Sequence, residues 1–140
     1  MLVIHPVIQF LAVILTLYVF CLGVQRFRSL HLHQKTLFRW KRHVLLGKIA
    51  LLALLGGMMG GMAVVYFYLH WFLITGVHGK VAFVMIPFII FGGATGLYLD
   101  HKKNKRTAFP LIHGLSNLIL LILALIQVVT GWTVYTLLVL

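Results

Sequence analysis

Acidic residues are almost missing from this 140-residue chain: Asp100 is its only carboxylate side chain, set against 12 Lys and Arg. Acid–base catalysis by paired carboxylates is excluded, because no second carboxylate exists to form the pair. Carboxylate-built calcium or magnesium sites and Asp/Glu proton relays fall for the same reason. Cysteine is as scarce. Cys21 stands alone, so no internal disulfide forms, and its place in an apolar run predicts a packed side chain inside the fold. Charged residues of both signs amount to 9%, where a soluble domain has about a quarter. What fills the chain instead is hydrocarbon: 62% of residues are hydrophobic and the mean hydropathy is +1.08. Such a chain is too apolar to remain disordered in water.

Spanning a bilayer takes about 20 mostly apolar residues per helix. Four segments qualify, 3–25, 43–70, 77–99 and 110–136, and their continuous rather than alternating apolar character excludes barrel strands. The expectation is an all-α, integral membrane four-helix bundle of up-down topology, a single transmembrane domain over residues 1–140. A basic linker, residues 26–42, joins the first two spans, and DHKKNKR, residues 100–106, joins the last two. A short turn around Ile74, Thr75 and Gly76 joins the middle pair. Lys and Arg mark the cytoplasmic side, so both basic linkers face inward and both termini face the non-cytoplasmic side. Trp40 then lies at the inner interface, and Trp71 and Trp132 at the outer one, as an aromatic belt requires. The N-terminal run has no positive n-region and no A-x-A-like site, so it reads as a retained span rather than a signal peptide. The net charge of +11 fits this topology and attraction to the anionic headgroups of a lipid bilayer. Nucleic acid is not an expected partner, since the cations hug the membrane.

Eight histidines in so apolar a chain need a chemical reason. His31, His33 and His101 fall in the basic linkers and are expected to be solvated, and His70 to be interfacial. His5, His43, His78 and His113 each lie near the N-terminal end of a span, where an ionisable residue is a functional candidate by default. Alternating spans put His5 and His78 at the outer level and His43 and His113 at the inner level. In an up-down bundle spans one and three are diagonal partners, as are two and four. Each diagonal thus offers two imidazoles across the core, the arrangement of a bis-His axial site for haem iron.

A second regularity accompanies the first. Eighteen residues after each of these histidines stands a glycine: Gly23, Gly61, Gly96 and Gly131. Eighteen residues make five turns of helix, so each span reads His, then Gly on the same face at the opposite surface. The expected reason is steric: glycine makes room for a macrocycle held by the other diagonal pair. Gly61 and Gly131 then clear space for an outer haem, Gly23 and Gly96 for an inner one. Gly57 and Gly92 each precede a far glycine by four residues, though G-x-x-x-G steps also serve plain helix packing. Lys48 and Arg42 at the inner site and Lys80 at the outer are candidates for haem propionates, or else snorkel to headgroups. With ligands about one turn inside a hydrocarbon core of about 30 Å, the irons stand roughly 20 Å apart.

The pattern resembles the cytochrome b561 family of transmembrane di-haem electron carriers. The resemblance rests on one His per span, on the alternating His5/His78 and His43/His113 pairing, and on the stretches RHVLLGK (42–48), VHGKV (77–81) and IHGLSN (112–117). It covers the family's central four-helix core; better-known eukaryotic members have six helices, and no match to their ascorbate-associated basic segments is present. It implies two b-type haems, one near each membrane face, ligated by His5, His78, His43 and His113, with electrons passing across the bilayer from a quinol or other reductant to an acceptor. A bacterial inner (cytoplasmic) membrane and partner redox protein subunits are the expected setting. The alternative is a membrane anchor subunit with one haem or none and a quinone site. A His/Met metal transporter is a third reading. Met58, Met59 and Met62 invite it, but adjacent methionines do not share a helix face, and packing around the glycines is their expected role.

Overall fold

The computed structural model describes residues 3–70, 74–102 and 108–138. Four long helices account for most of it: α1 (Ile4–His31), α2 (Trp40–Val64), α3 (Val77–His101) and α4 (Ala108–Leu138). Among the described residues there is no strand. All four helices are long and apolar enough to cross a membrane. The protein is therefore an all-α, multi-pass membrane bundle, its backbone groups satisfied inside each helix as hydrocarbon demands.

Neighbouring helices pack α1 on α2, α2 on α3, α3 on α4 and α4 back on α1, which leaves α1/α3 and α2/α4 as the diagonals. The α1–α2 and α3–α4 hairpins are the closest pairs, and the α2–α3 seam is the slightest. Lipid tails are as apolar as leucine, so burial from water does not hold such helices together; close packing and interhelical hydrogen bonds do. The tightest layer lies midway along the bundle, where Ala12, Leu54, Met85, Ile89, Leu120 and Ala124 interlock, Leu120 and Ala124 with no exposure at all.

The end that carries the basic linkers is called inner and the other outer. At the inner end the helices overrun their apolar segments. α1 continues six residues past 25, to His31, and α2 begins at Trp40 rather than 43. The reason is that apolar length measures the bilayer, not the helix. Twenty-eight residues of α1 rise about 42 Å, more than a hydrocarbon core of about 30 Å, and its last turns protrude. The overrun ends where the linker folds back: the Leu32 and Gln34 amides donate to the Arg28 carbonyl, Arg28 Nε donates to Gln34 Oε1 at 2.9 Å, and His33 turns left-handed at φ 51°. The Thr36 hydroxyl then donates to the Gln25 carbonyl at 2.7 Å. At the outer end α2 widens into a π-helical turn, Val65–Leu69, and stops at His70 in the left-handed region, φ 53°.

Two expectations are corrected. Cys21 is exposed on the lipid-facing side of α1 rather than packed inside; in lipid a small apolar side chain loses nothing by facing outward. His31 is half-buried rather than solvated, its ring 5.1 Å from that of Phe27, and its Nε2 is buried without a hydrogen-bond partner. His33, His70 and His101 are exposed. Trp132 is exposed at the outer end; Trp71, Lys103, Lys105 and Arg106 lie outside the described residues.

Candidate functional site

The four span histidines meet in pairs along the diagonals. His5 on α1 and His78 on α3 stand with ring centroids 6.4 Å apart and planes at 86°. His43 on α2 and His113 on α4 repeat this at the inner end, at 6.3 Å and 79°. Antiparallel neighbours produce this without further device: a His at the start of every helix alternates ends, and the like-directed helices are the diagonal ones.

Each imidazole leans on the helix next to it, at the glycine five turns beyond that helix's own histidine. An ideal Cβ at Gly61 would lie 2.6 Å from His5 Cε1, at Gly131 3.0 Å from His78 Cε1, at Gly23 3.2 Å from His43 Cε1, and at Gly96 3.3 Å from His113 Cε1. The clearance these glycines visibly give is thus to the imidazoles themselves. Gly61 and Gly131 also border a cavity of about 900 Å³ beside His5 and His78, with Met58, Met62 and Phe83 in its wall. Met59 points away, 59% exposed, so the three methionines do not act as one group.

Close approach to the neighbouring backbone gives every Nδ1 an acceptor. His5 Nδ1 donates to the Gly57 carbonyl at 2.9 Å, and His43 Nδ1 to the Val19 carbonyl at 3.1 Å. His78 Nδ1 meets the Thr130 hydroxyl at 3.1 Å, and His113 Nδ1 the Thr95 hydroxyl at 2.8 Å. A carbonyl only accepts, so the first two rings carry their proton on Nδ1. Each hydroxyl also has a carbonyl one turn back to donate to, Ile126 at 3.0 Å and Phe91 at 2.7 Å, which leaves its oxygen free to accept from Nδ1. None of these hydrogen bonds uses Nε2, which in the resulting tautomer holds the free lone pair.

Sequence reasoning did not find Thr95 and Thr130, nor the amides that complete the seams. Gln9, four residues after His5, lies over Gly57 and donates to the Leu54 carbonyl at 3.2 Å. Asn117, four residues after His113, lies over Gly92 and donates to the His113 carbonyl at 2.7 Å. Gln127 donates to the His78 carbonyl at 2.9 Å. The signals were present: a Thr-Gly step closes the repeat in α3 and α4, and an amide follows one turn after His5 and His113.

Among the described residues no three His, Cys, Asp or Glu converge on one point. Neither pair is therefore a closed protein cage for a bare cation; each brings together two imidazoles, one from each helix of a diagonal. The cations expected near the pairs have other contacts in part. Lys48 Nζ is 3.6 Å from Asp100 Oδ2, across the α2–α3 seam. Arg42 Nη1 donates to the Tyr18 hydroxyl at 3.4 Å, and Lys80 is exposed. No family model, curated protein or solved structure matches this chain. Its own residues are the ground for a functional reading.

Proposed function

We propose that this protein carries electrons across a membrane through two b-type haems, each held between a diagonal histidine pair. The observation that bears most weight is the ring spacing. Two imidazoles bound to one metal from opposite sides, at about 2.0–2.1 Å per bond, have centroids about 6.3–6.5 Å apart. The two pairs stand at 6.4 and 6.3 Å. Two protein donors, with no third converging among the described residues, are also the number a haem leaves to the protein. The free Nε2 lone pairs and the cavity beside His5 and His78 support the same fit.

In this reading His5 and His78 hold the outer haem, and His43 and His113 the inner one. Bound haem supplies one-electron exchange at iron. The chain supplies the rest: imidazoles of fixed tautomer, glycines that let those imidazoles reach the neighbouring backbone, and a dry middle layer around Leu120 and Ala124. With 9% charged residues and nearly all its length in four helices, the chain has little mass outside the bilayer. Electrons then come from a reductant such as a quinol and leave to a partner redox subunit, in a setting such as the bacterial cytoplasmic membrane.

Haem quantitation on the purified protein tests the proposal directly. Two haems per chain, with a reduced-minus-oxidised b-type spectrum, are expected; protein that binds none refutes it. A one-haem anchor subunit is the second reading, favoured by the cavity at the outer pair. A single haem that vanishes in His78→Ala and persists in His43→Ala would establish that reading instead.

A further inference from the structure

Each facing pair joins unlike members. His5 and His43, on the α1–α2 hairpin, rest Nδ1 on backbone carbonyls, while His78 and His113, on the α3–α4 hairpin, rest it on threonine hydroxyls. The threonines stand immediately before Gly131 and Gly96. The register that lets the imidazole reach the helix therefore brings a hydroxyl under it.

We infer that Thr95 and Thr130 are positioning residues that lock His113 and His78 in the Nδ1–H tautomer, so that Nε2 faces the iron as a lone pair. The part concerning iron rests on the haem reading; the tautomer does not. A threonine hydroxyl has one proton. Thr95 Oγ1 lies 2.7 Å from the Phe91 carbonyl oxygen and 3.3 Å from that of Gly92, which draws the proton into the helix. What the hydroxyl presents to His113 at 2.8 Å is an acceptor. The competing group is Asn117 Nδ2, a donor, 3.4 Å from the same Nδ1. With the hydroxyl in place the nearer acceptor decides the ring's proton. Without it the amide N–H is the polar group left beside Nδ1, and it favours the opposite tautomer, in which Nε2 carries the proton and cannot ligate. At His78 the nearby amide, Gln127 Nε2, donates to the His78 carbonyl at 2.9 Å and is not a partner of Nδ1, so among the described residues no donor competes with Thr130 there.

The consequence is an ordered pair of effects. Thr95→Val keeps the shape and removes the acceptor, and lowers inner haem affinity by about tenfold to a hundredfold, the usual range when a ligand's hydrogen-bond partner is lost. Thr95→Ser restores it. Thr130→Val has the smaller effect, confined to the outer haem.

The test is nitrogen-15 NMR on full-length, histidine-labelled protein in lipid nanodiscs, reduced so that bound haem is diamagnetic, alongside haem titration of the same variants. His113 protonated at Nδ1 in the parent and at Nε2 in unliganded Thr95→Val upholds the proposal. A parent that carries the proton at Nε2 overturns it, as does a Thr95→Ser variant that behaves like Thr95→Val. Protein that takes up no haem yet shows the Nδ1–H tautomer, lost in Thr95→Val, upholds this inference while removing the haem reading.

Discussion

The outer and inner histidine pairs have nearly the same ring spacing but differ in how firmly the backbone grips them. At the outer end an added Cβ would meet the imidazoles at 2.6 and 3.0 Å; at the inner end the corresponding distances are 3.2 and 3.3 Å. A methyl at Gly61 would collide outright with His5, while Gly131 stands at the edge of the range seen at the inner end; beside the outer rings lies a cavity of about 900 Å³. The inner rings would have to give by a few tenths of an ångström to admit a methyl group, and at that end the sole carboxylate side chain ties α3 to α2 through Lys48. One repeat has thus produced two sites of the same geometry and unequal tolerance. Each site rests one ring on a backbone carbonyl and the other on a threonine hydroxyl; what differs is how closely the glycines approach.

Removing a ligand is the largest perturbation of this comparison. His78→Ala should abolish haem at the outer end alone and His43→Ala at the inner end alone, each read as loss of one component in a redox titration of the visible spectrum. Loss of the same component in both variants would contradict the diagonal pairing. A methyl group sharpens the contrast further. Gly61→Ala must push His5 aside and is expected to cost about 1–3 kcal/mol, as overpacking does. Gly96→Ala, with a contact of 3.3 Å, should cost less and leave the outer site untouched. Thermal unfolding in detergent with haem retained per site measures both, and equal effects would deny that the two ends differ in slack.

Smaller again is the ion pair. Lys48 is 49% exposed and Asp100 26%, so Asp100→Asn should lower stability by only about 0–1 kcal/mol, and less at high salt. A loss well above that would mean the pair does more than bridge the α2–α3 seam. The least effect is expected at Cys21. Exposed as it is, Cys21→Ala should stay within about 0.5 kcal/mol of the parent in thermal unfolding. A loss of several times that size would return this residue to the interior.

The bundle, the spacing of its histidines and the glycines opposite them were all legible in the chain, because each follows from one number, the 3.6-residue turn, applied to long apolar runs. Helix ends were not. Hydropathy marks where lipid ends, whereas α1 stops six residues later, where the Arg28 carbonyl gathers the linker's amides. The orientation of Cys21 was missed because apolar residues inside lipid show no inward preference by composition alone. The place of Gly23, Gly61, Gly96 and Gly131 was readable but their immediate contact was not. A glycine signals that something comes close, and only coordinates show that an imidazole does. Thr95 and Thr130 were hidden for a plainer reason. A hydroxyl inside a membrane helix usually bonds its own preceding turn, and both do so while serving a second ring.

The unlike backing of the two hairpins has a meaning for how such a protein changes over generations. A main-chain carbonyl is there whatever residue supplies it, so substitution at Val19 cannot delete the acceptor of His43, and only rearrangement of α1 could. Position 22, which precedes Gly23 in that hairpin, holds a leucine, and position 60 a glycine; neither carries a hydroxyl to lose or gain function by. On α3 and α4 a substitution at Thr95 or Thr130 removes the acceptor beside one imidazole of a pair and leaves its opposite number as it was. The fold therefore separates what side-chain substitution cannot reach from what it can: α1 and α2 each contribute an imidazole backed by main chain, and α3 and α4 each contribute one backed by a side chain.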